Sequence, residues 1–384
     1  MTMQYHEMKE ELEQFRESVQ RFVKTEITPH YEQWERDEIV PRDVWRKLGQ
    51  QGLLGVDLPE EYGGVGTNFA FSMVILEEFM RANCASIGGS MTVHSDVVAH
   101  YILNTGTEEQ KQRYLPDMVT GECVGAVAMT EPGTGSDLQG IRTVARKDGD
   151  DYIINGSKTF ITNGQHADVV VVVAKTNTEV SGAKGTTLFL VDSDSPGFSR
   201  GRNLEKIGMR ASDTSELFFE DIRVPSTSIL GELDRGFGVL MGELQRERLA
   251  LSVGAVSAAE GVLAETVAYV KERKAFGSTI ATFQNTKFKL AETATDIRVL
   301  RAFVEECKGA FLKGELDVPT ASMAKVATTE MQGRVADTCL QLFGGYGYMK
   351  EYGVSRAFVD ARVQRIYGGT SEIMKELISR DLLG

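Results

Sequence analysis

The chain has 384 residues, 42% hydrophobic and 25% charged, with 42 Lys and Arg against 55 Asp and Glu for a formal charge of −13. That length predicts two or three domains and a large apolar core. The acidic balance excludes nucleic acid and anionic lipid as natural partners, since both call for a basic face.

Residues 1–10 are polar and charged, with no apolar signal core and no Arg-rich transit pattern. The longest apolar run, 169–174, is far short of the roughly 20 residues of a membrane helix, so no stable membrane insertion is expected. Cys84, Cys123, Cys307 and Cys339 form no CxxC pair. A reducing, bacterial cytoplasm therefore fits better than a disulfide or zinc framework. Three textures then follow in chain order, with boundaries predicted at 1–121, 122–230 and 231–384.

The first texture is helical. Leu12, Phe15, Val19, Phe22 and Val23 recur at helical spacing, stretches 68–80 and 91–103 look alike, and Pro41 marks another helix start. The second is sheet. Short β-prone runs at 141–146, 152–154, 159–162, 169–174 and 187–191 are punctuated by Asp148-Gly149, Asn155-Gly156 and Asn163-Gly164, pairs that supply the positive φ of tight turns. A small barrel or sandwich is the predicted form. The third returns to long helices at 237–273, 283–312 and 321–342, with a terminal helix at 371–383, which predicts a bundle. With no long linker, the three parts should pack as one unit.

There is no P-loop, HExxH or GxSxG motif, and His6, His30, His94, His100 and His166 show no ligand spacing, so no metal site is expected. Three constellations remain. The loop Met129-Thr130-Glu131-Pro132-Gly133-Thr134-Gly135-Ser136-Asp137 follows a strand and offers N–H groups and hydroxyls to an anionic or heteroaromatic ligand; it reads equally as an ordinary turn. Tyr367-Gly368-Gly369-Thr370-Ser371-Glu372 opens the last helix, either as an anion site or simply as a capped helix. Glu247 lies between Arg246 and Arg248 on a helical face shared with Leu244, Leu251 and Gly254. A desolvated carboxylate there is a stronger base; a rim salt bridge is the plainer alternative.

Taken with Asn155-Gly156-Ser157-Lys158, Ile161-Thr162-Asn163-Gly164, Glu272-Arg273-Lys274-Ala275-Phe276-Gly277 and Gln341-Leu342-Phe343-Gly344-Gly345, these segments resemble the acyl-CoA dehydrogenase family over essentially the whole chain. The resemblance implies an α+β chain with an N-terminal α-helical domain, a middle β-barrel and a C-terminal α-helical bundle. It implies FAD, an acyl-CoA substrate oxidised to the trans-2-enoyl-CoA, electron-transfer flavoprotein as acceptor, and a homotetramer.

By motif, the resemblance places Met129, Thr130, Phe160 and Thr162 at the flavin, Phe160 standing where many members have tryptophan. Ser136 would touch cofactor phosphate or the CoA part of the ligand. Arg273, Phe276 and Gln284 would reach a neighbouring subunit's FAD, and Gln341, Gly345, Thr370 and Glu372 would complete the cofactor site. The backbone N–H of Gly368, beside Tyr367, would hold the thioester oxygen.

Many members carry their catalytic glutamate at the position that is Gly368 here. The long-chain and isovaleryl types place it in the long helix within Glu-Arg-Leu, which matches Glu247-Arg248-Leu249. Glu247 is therefore the expected base, with Arg248 orienting the site or holding ligand. The same fold also serves acyl-CoA oxidases and flavin monooxygenases. A non-catalytic acyl-CoA-binding or assembly protein would be expected to have lost Glu247 and the flavin contacts.

Overall fold

A computed structural model of the protein describes residues 8–180 and 182–384. The N-terminal part is helical. It comprises α1 (Lys9–Phe22), α2 (Thr28–Asp37), α3 (Arg42–Gln50), α4 (Phe69–Arg81), α5 (Ala85–Met91), α6 (Ala99–Thr105) and α7 (Glu108–Thr120). Widened π-helical turns, Val23–Ile27 and Thr92–Val98, join α1 to α2 and α5 to α6. The side chain of Asn68 accepts from Ala70 N at 2.9 Å and starts α4. A reciprocal Thr107/Gln110 capping box starts α7, a helix whose periodicity was too weak to predict.

The middle part is one eight-stranded sheet of β1 (Gly125–Ala128), β2 (Val144–Asp148), β3 (Asp151–Thr162), β4 (Val169–Lys175), β5 (Thr186–Asp192), β6 (Phe198–Asn203), β7 (Thr214–Pro225) and β8 (Ile229–Leu230). Its order is β6-β7-β3-β2-β4-β5-β8, with β1 parallel to β4. The end strands β6 and β8 are not ladder partners, so the expected barrel is realised as a sheet without ladder closure.

One turn expectation is corrected. Asn155-Gly156 does not separate two strands; it is a bulge within the single strand β3. Gly156 is needed for close approach, because a Cβ there would lie 2.4 Å from Thr143 Oγ1.

The C-terminal part comprises α8 (Gly236–Glu272), the hairpin β9 (Lys274–Ala275) and β10 (Ser278–Thr279), α9 (Gln284–Leu312), α10 (Val318–Phe343), α11 (Gly353–Val363) and α12 (Ser371–Leu383). By length and composition α8 could cross a membrane, but it serves here as a core helix, with 56% of its most apolar stretch buried. Phe69, Met73, Leu76 and Met80 of α4 share one core with Leu249, Val253 and Val256 of α8 and Met331 and Val335 of α10. Val74, Ile75 and Phe79, on the other side of α4, belong to the N-terminal core with Val19, Trp45 and Leu48. The single helix α4 thus welds the two helical parts together, as the missing linkers led us to expect.

Candidate active site

Each residue along a helix turns about 100° from the last, and the triplet Arg246-Glu247-Arg248 on α8 uses this to face three ways. Arg246 points into the N-terminal part, where Nη2 donates to Asp57 Oδ2 at 2.5 Å and Asp96 Oδ1 at 2.8 Å. Arg248 turns toward α10, donating to Ser322 Oγ at 3.3 Å, with its buried Nε unpartnered. Glu247 faces neither cation, and among the described residues it makes no ion pair, so the rim salt bridge is not what the helix builds.

The hydrogen-bond partner of Glu247 is Tyr101 of α6, whose hydroxyl donates to Oε1 at 2.7 Å. Burial pushes the Glu247 carboxyl up to about 7. Tyr101 pulls it back, Glu243 raises it further and Arg248 lowers it. The residue as a whole keeps intermediate exposure.

Gly368 sits against the same face of α8. A Cβ built there would lie 2.5 Å from Leu251 Cδ1, one turn beyond Glu247, and the residue holds φ +58°. A larger residue here would have to displace the Leu251 side chain and hold a left-handed backbone that glycine adopts at no cost. On the far side of this turn, Lys325 of α10 is buried and donates Nζ to Tyr367 O at 2.6 Å and also to Gly369 O. Gly369 is followed by Thr370, whose side chain accepts from Ile373 N at 3.2 Å and caps α12; Glu372 lies exposed in its first turn.

The loop after β1 is built on a buried ion pair. Lys158 Nζ donates to Glu131 Oε1 and to Met129 O, each at 2.9 Å, and Glu131 also accepts from Arg142 N and Thr143 N. Thr159 N donates to Thr130 O at 2.9 Å. This stitches Met129 and Thr130 to β3, where a second bulge throws Phe160 outward at φ +59° with 68% of its surface exposed. A non-glycine aromatic residue held open at positive φ is a functional signal. The half-buried Thr130 and Thr162 hydroxyls have no partner among the described residues. An open aromatic face beside free hydroxyls fits the heteroaromatic ring of FAD. Ser136 is exposed on the outer loop. Met129 packs against the cluster that contains Tyr101, which links this loop to Glu247.

A cleft of about 500 Å³ gathers Arg273, Gln341 and Gly345 with Tyr269 and Tyr346. The Arg273 guanidinium lies over the Tyr346 ring at 5.3 Å. Phe276 stands at the tip of the β9–β10 turn at φ +52° and 97% exposed, and Gln284 is exposed at the start of α9. Arg273 and Glu247 lie at opposite ends of this stretch of α8, about 39 Å apart along the axis at ~1.5 Å per residue. One dinucleotide does not reach across that distance.

The small residues of 86–90 are engaged within the protein. Ser86 Oγ donates to Glu35, Ser90 pairs with Ser212, and Gly88 abuts Phe79, so the small residues serve packing.

With the geometry set out, comparison with known proteins decides the family. The descriptions "Acyl-CoA dehydrogenase, N-terminal domain", "middle domain" and "C-terminal domain" match residues 9–122, 126–222 and 234–383. The chain belongs to the acyl-CoA dehydrogenase family. It is 53% identical to the mitochondrial long-chain specific acyl-CoA dehydrogenase of Sus scrofa over 96% of this chain and 86% of that one. It is 38% identical to the mitochondrial isovaleryl-CoA dehydrogenase of Solanum tuberosum over 96% of this chain and 90% of that one. The crystal structure of an acyl-CoA dehydrogenase from Geobacillus kaustophilus superposes with a TM-score of 0.96 at 48% identity, covering 98% of each chain. Acyl-CoA dehydrogenases are FAD-dependent oxidoreductases, and this protein is one of them, acting in fatty-acid or branched-chain catabolism.

The residues that sequence reasoning missed are Tyr101, Lys325 and the Lys158–Glu131 pair. Tyr101 sits within an apolar helical stretch, and each lysine looks like a surface residue until the fold encloses it. No motif marked Tyr101 or Lys325, and the motifs that contain Glu131 and Lys158 did not show that the two pair.

Proposed function

We propose that this acyl-CoA dehydrogenase oxidises a long-chain acyl-CoA thioester to the trans-2-enoyl-CoA, with Glu247 removing the α-proton. The observation that carries this is a carboxyl with no ion-pair partner among the described residues, pushed by burial to a pKa of about 7, bonded by Tyr101 and one helical turn from Leu251, against which Gly368 packs. A base whose pKa is raised toward neutrality is matched to proton transfer near neutral pH. The Gly368 N–H donates to the thioester oxygen as negative charge develops on it. Bound FAD supplies the acceptor for the β-hydrogen, chemistry that no side chain offers. Met129, Thr130, Phe160, Thr162, Thr370 and Glu372 hold it, with Ser136 at its phosphate or at the CoA.

The cleft holding Arg273, Gln341 and Gly345 serves another copy's cofactor, with Phe276 and Gln284 reaching across. Its separation from Glu247 and the exposed Phe276 support a homotetramer. Electron-transfer flavoprotein is the proposed acceptor, and the similarity to bacterial relatives supports a bacterial cytoplasm. The long chain rests on the higher identity to the long-chain than to the isovaleryl relative.

The test is anaerobic bleaching of the yellow holoenzyme by acyl-CoAs from butanoyl to palmitoyl, with branched and cyclic ones alongside. Rapid bleaching by the longest chains and slow reoxidation by air are expected. Bleaching by no member of the panel would sink the assignment, and fast reoxidation would make the enzyme an oxidase.

Tyr101→Phe checks the base separately. The hydroxyl stabilises the ionised form, so its loss raises the Glu247 pKa. The acid limb of kcat/KM should move to higher pH by about one unit, lowering activity at pH 7 by roughly fivefold while leaving it near normal at pH 9. An unmoved limb would detach Tyr101 from the base.

A further inference from the structure

Among the buried groups that the proposed mechanism does not use, Lys325 has the most unusual placement. It is 1% exposed, yet among the described residues no carboxylate pairs with it; its Nζ donates to the backbone carbonyls of Tyr367 and Gly369. Burial, then the nearby Arg248, pulls its pKa down to about 8. Burying an ammonium is expensive unless it does something for its partners.

The partners flank one group. The described residues contain no cis peptide, and in a trans peptide the C=O and the following N–H point in opposite directions. Anchoring Tyr367 C=O to Lys325 therefore turns the Gly368 N–H away from Lys325, on a residue that lies against Leu251, one turn from Glu247 on α8. Among the described residues that N–H has no acceptor. The second bond, to Gly369 O, grips the other end of the same turn, which two consecutive positive φ angles, +58° and +86°, leave otherwise free to flip.

Charge adds to geometry. An amide whose carbonyl accepts from a cation is polarised, and its N–H becomes a stronger donor.

We propose that Lys325 is a positioning residue for the reaction: from behind the Tyr367-Gly368-Gly369 turn it aims and polarises the Gly368 N–H at the thioester oxygen of an acyl-CoA. This rests on the reading above that this N–H meets that oxygen. It extends the site to a side chain that touches neither substrate nor cofactor, and it explains why a lysine is buried where no acid awaits it.

The test is Lys325→Met in the FAD-loaded enzyme, read by difference infrared spectroscopy of bound trans-2-hexadecenoyl-CoA carrying ¹³C at C1. In the wild type the thioester carbonyl stretch should fall to lower frequency on binding. In Lys325→Met that downshift should largely vanish, with kcat reduced roughly ten- to a hundredfold, KM nearly unchanged and FAD content normal. A full downshift with normal kcat would overturn the role of Lys325. No downshift in the wild type would instead overturn the reading of Gly368. Should Lys325→Met fail to fold or to hold FAD, Lys325→Gln, which keeps donors without the charge, carries the test. An intermediate downshift supports the proposal and a wild-type one overturns it.

Discussion

Glu247→Gln should leave a yellow, fully folded enzyme that binds acyl-CoA and scarcely turns it over. The amide fills the same space and accepts from Tyr101 through its oxygen, but it cannot take a proton at neutral pH. Loss of a positioned general base costs about a thousandfold in kcat. The α-proton next to a thioester is weakly acidic, and no other carboxylate is bonded at this position on α8. Glu243, the nearest acid on the helix, is engaged by Asn104 at 2.8 Å. Exchange of the substrate α-hydrogen with solvent deuterium should fall with turnover, which separates the proton step from later ones. Near-normal exchange in a protein with full FAD content would remove Glu247 as the base.

The second large effect belongs to stability. Arg246→Met should lower the unfolding free energy by about 3–5 kcal/mol, the usual cost of stripping the cation from a buried ion cluster. Arg246 is 7% exposed and lies between the Asp57 and Asp96 side chains, which are 4% and 6% exposed. His100 Nε2 lies 3.1 Å from Asp57 Oδ1, Ser72 donates to Asp96 at 2.6 Å, and the Arg246 guanidinium rests 4.7 Å over the Phe69 ring. Methionine keeps the apolar stem against that ring and removes only the charge.

Burial opposes ionisation of Asp57, yet Arg246 and His100 hold its carboxyl well below the ordinary range. Such a group contributes stability that is fully present above its unfolded pKa of about 4 and is lost only as pH falls through the depressed folded value. Without Arg246, burial prevails and the folded pKa rises above the unfolded one, so the variant loses stability as pH rises. Urea unfolding should therefore show a larger deficit at pH 8 than at pH 5. An equal deficit at both would mean that packing, not charge, is what Arg246 supplies. Because Arg246 and His100 are the chain neighbours of Glu247 and Tyr101, the variant should also lose activity beyond its loss of folded protein.

Much of the fold was legible because it rests on local pattern. The sequence places the terminal helix at 371–383, the bounds it has, because Thr370 caps it, and places the long helix at 237–273, within one residue of α8, because helical spacing there runs without a proline. The pattern failed where tertiary contact overrides it. Asn155-Gly156 carries the signature of a hairpin turn, but β7 pairs with β3 on both sides of it and draws it into a bulge. The helix 91–103 is continuous in periodicity, yet it opens into a π-helical turn at Thr92–Val98, where Asp96 meets Arg246.

The site divides the same way. Sequence alone determined that position 368 is glycine and so holds no base, that a glutamate stands on an apolar helical face, and that aromatic and hydroxyl side chains follow the strands in the family's order. These are statements about residue identity and spacing, which a linear chain carries in full. Only the tertiary structure decided that Glu247 escapes both neighbouring arginines, that Tyr101 from another helix is its partner, and that Lys325 lies buried behind the Gly368 turn. Burial and unpaired charge arise when distant segments exclude water together, and desolvation has no signature in the order of residues.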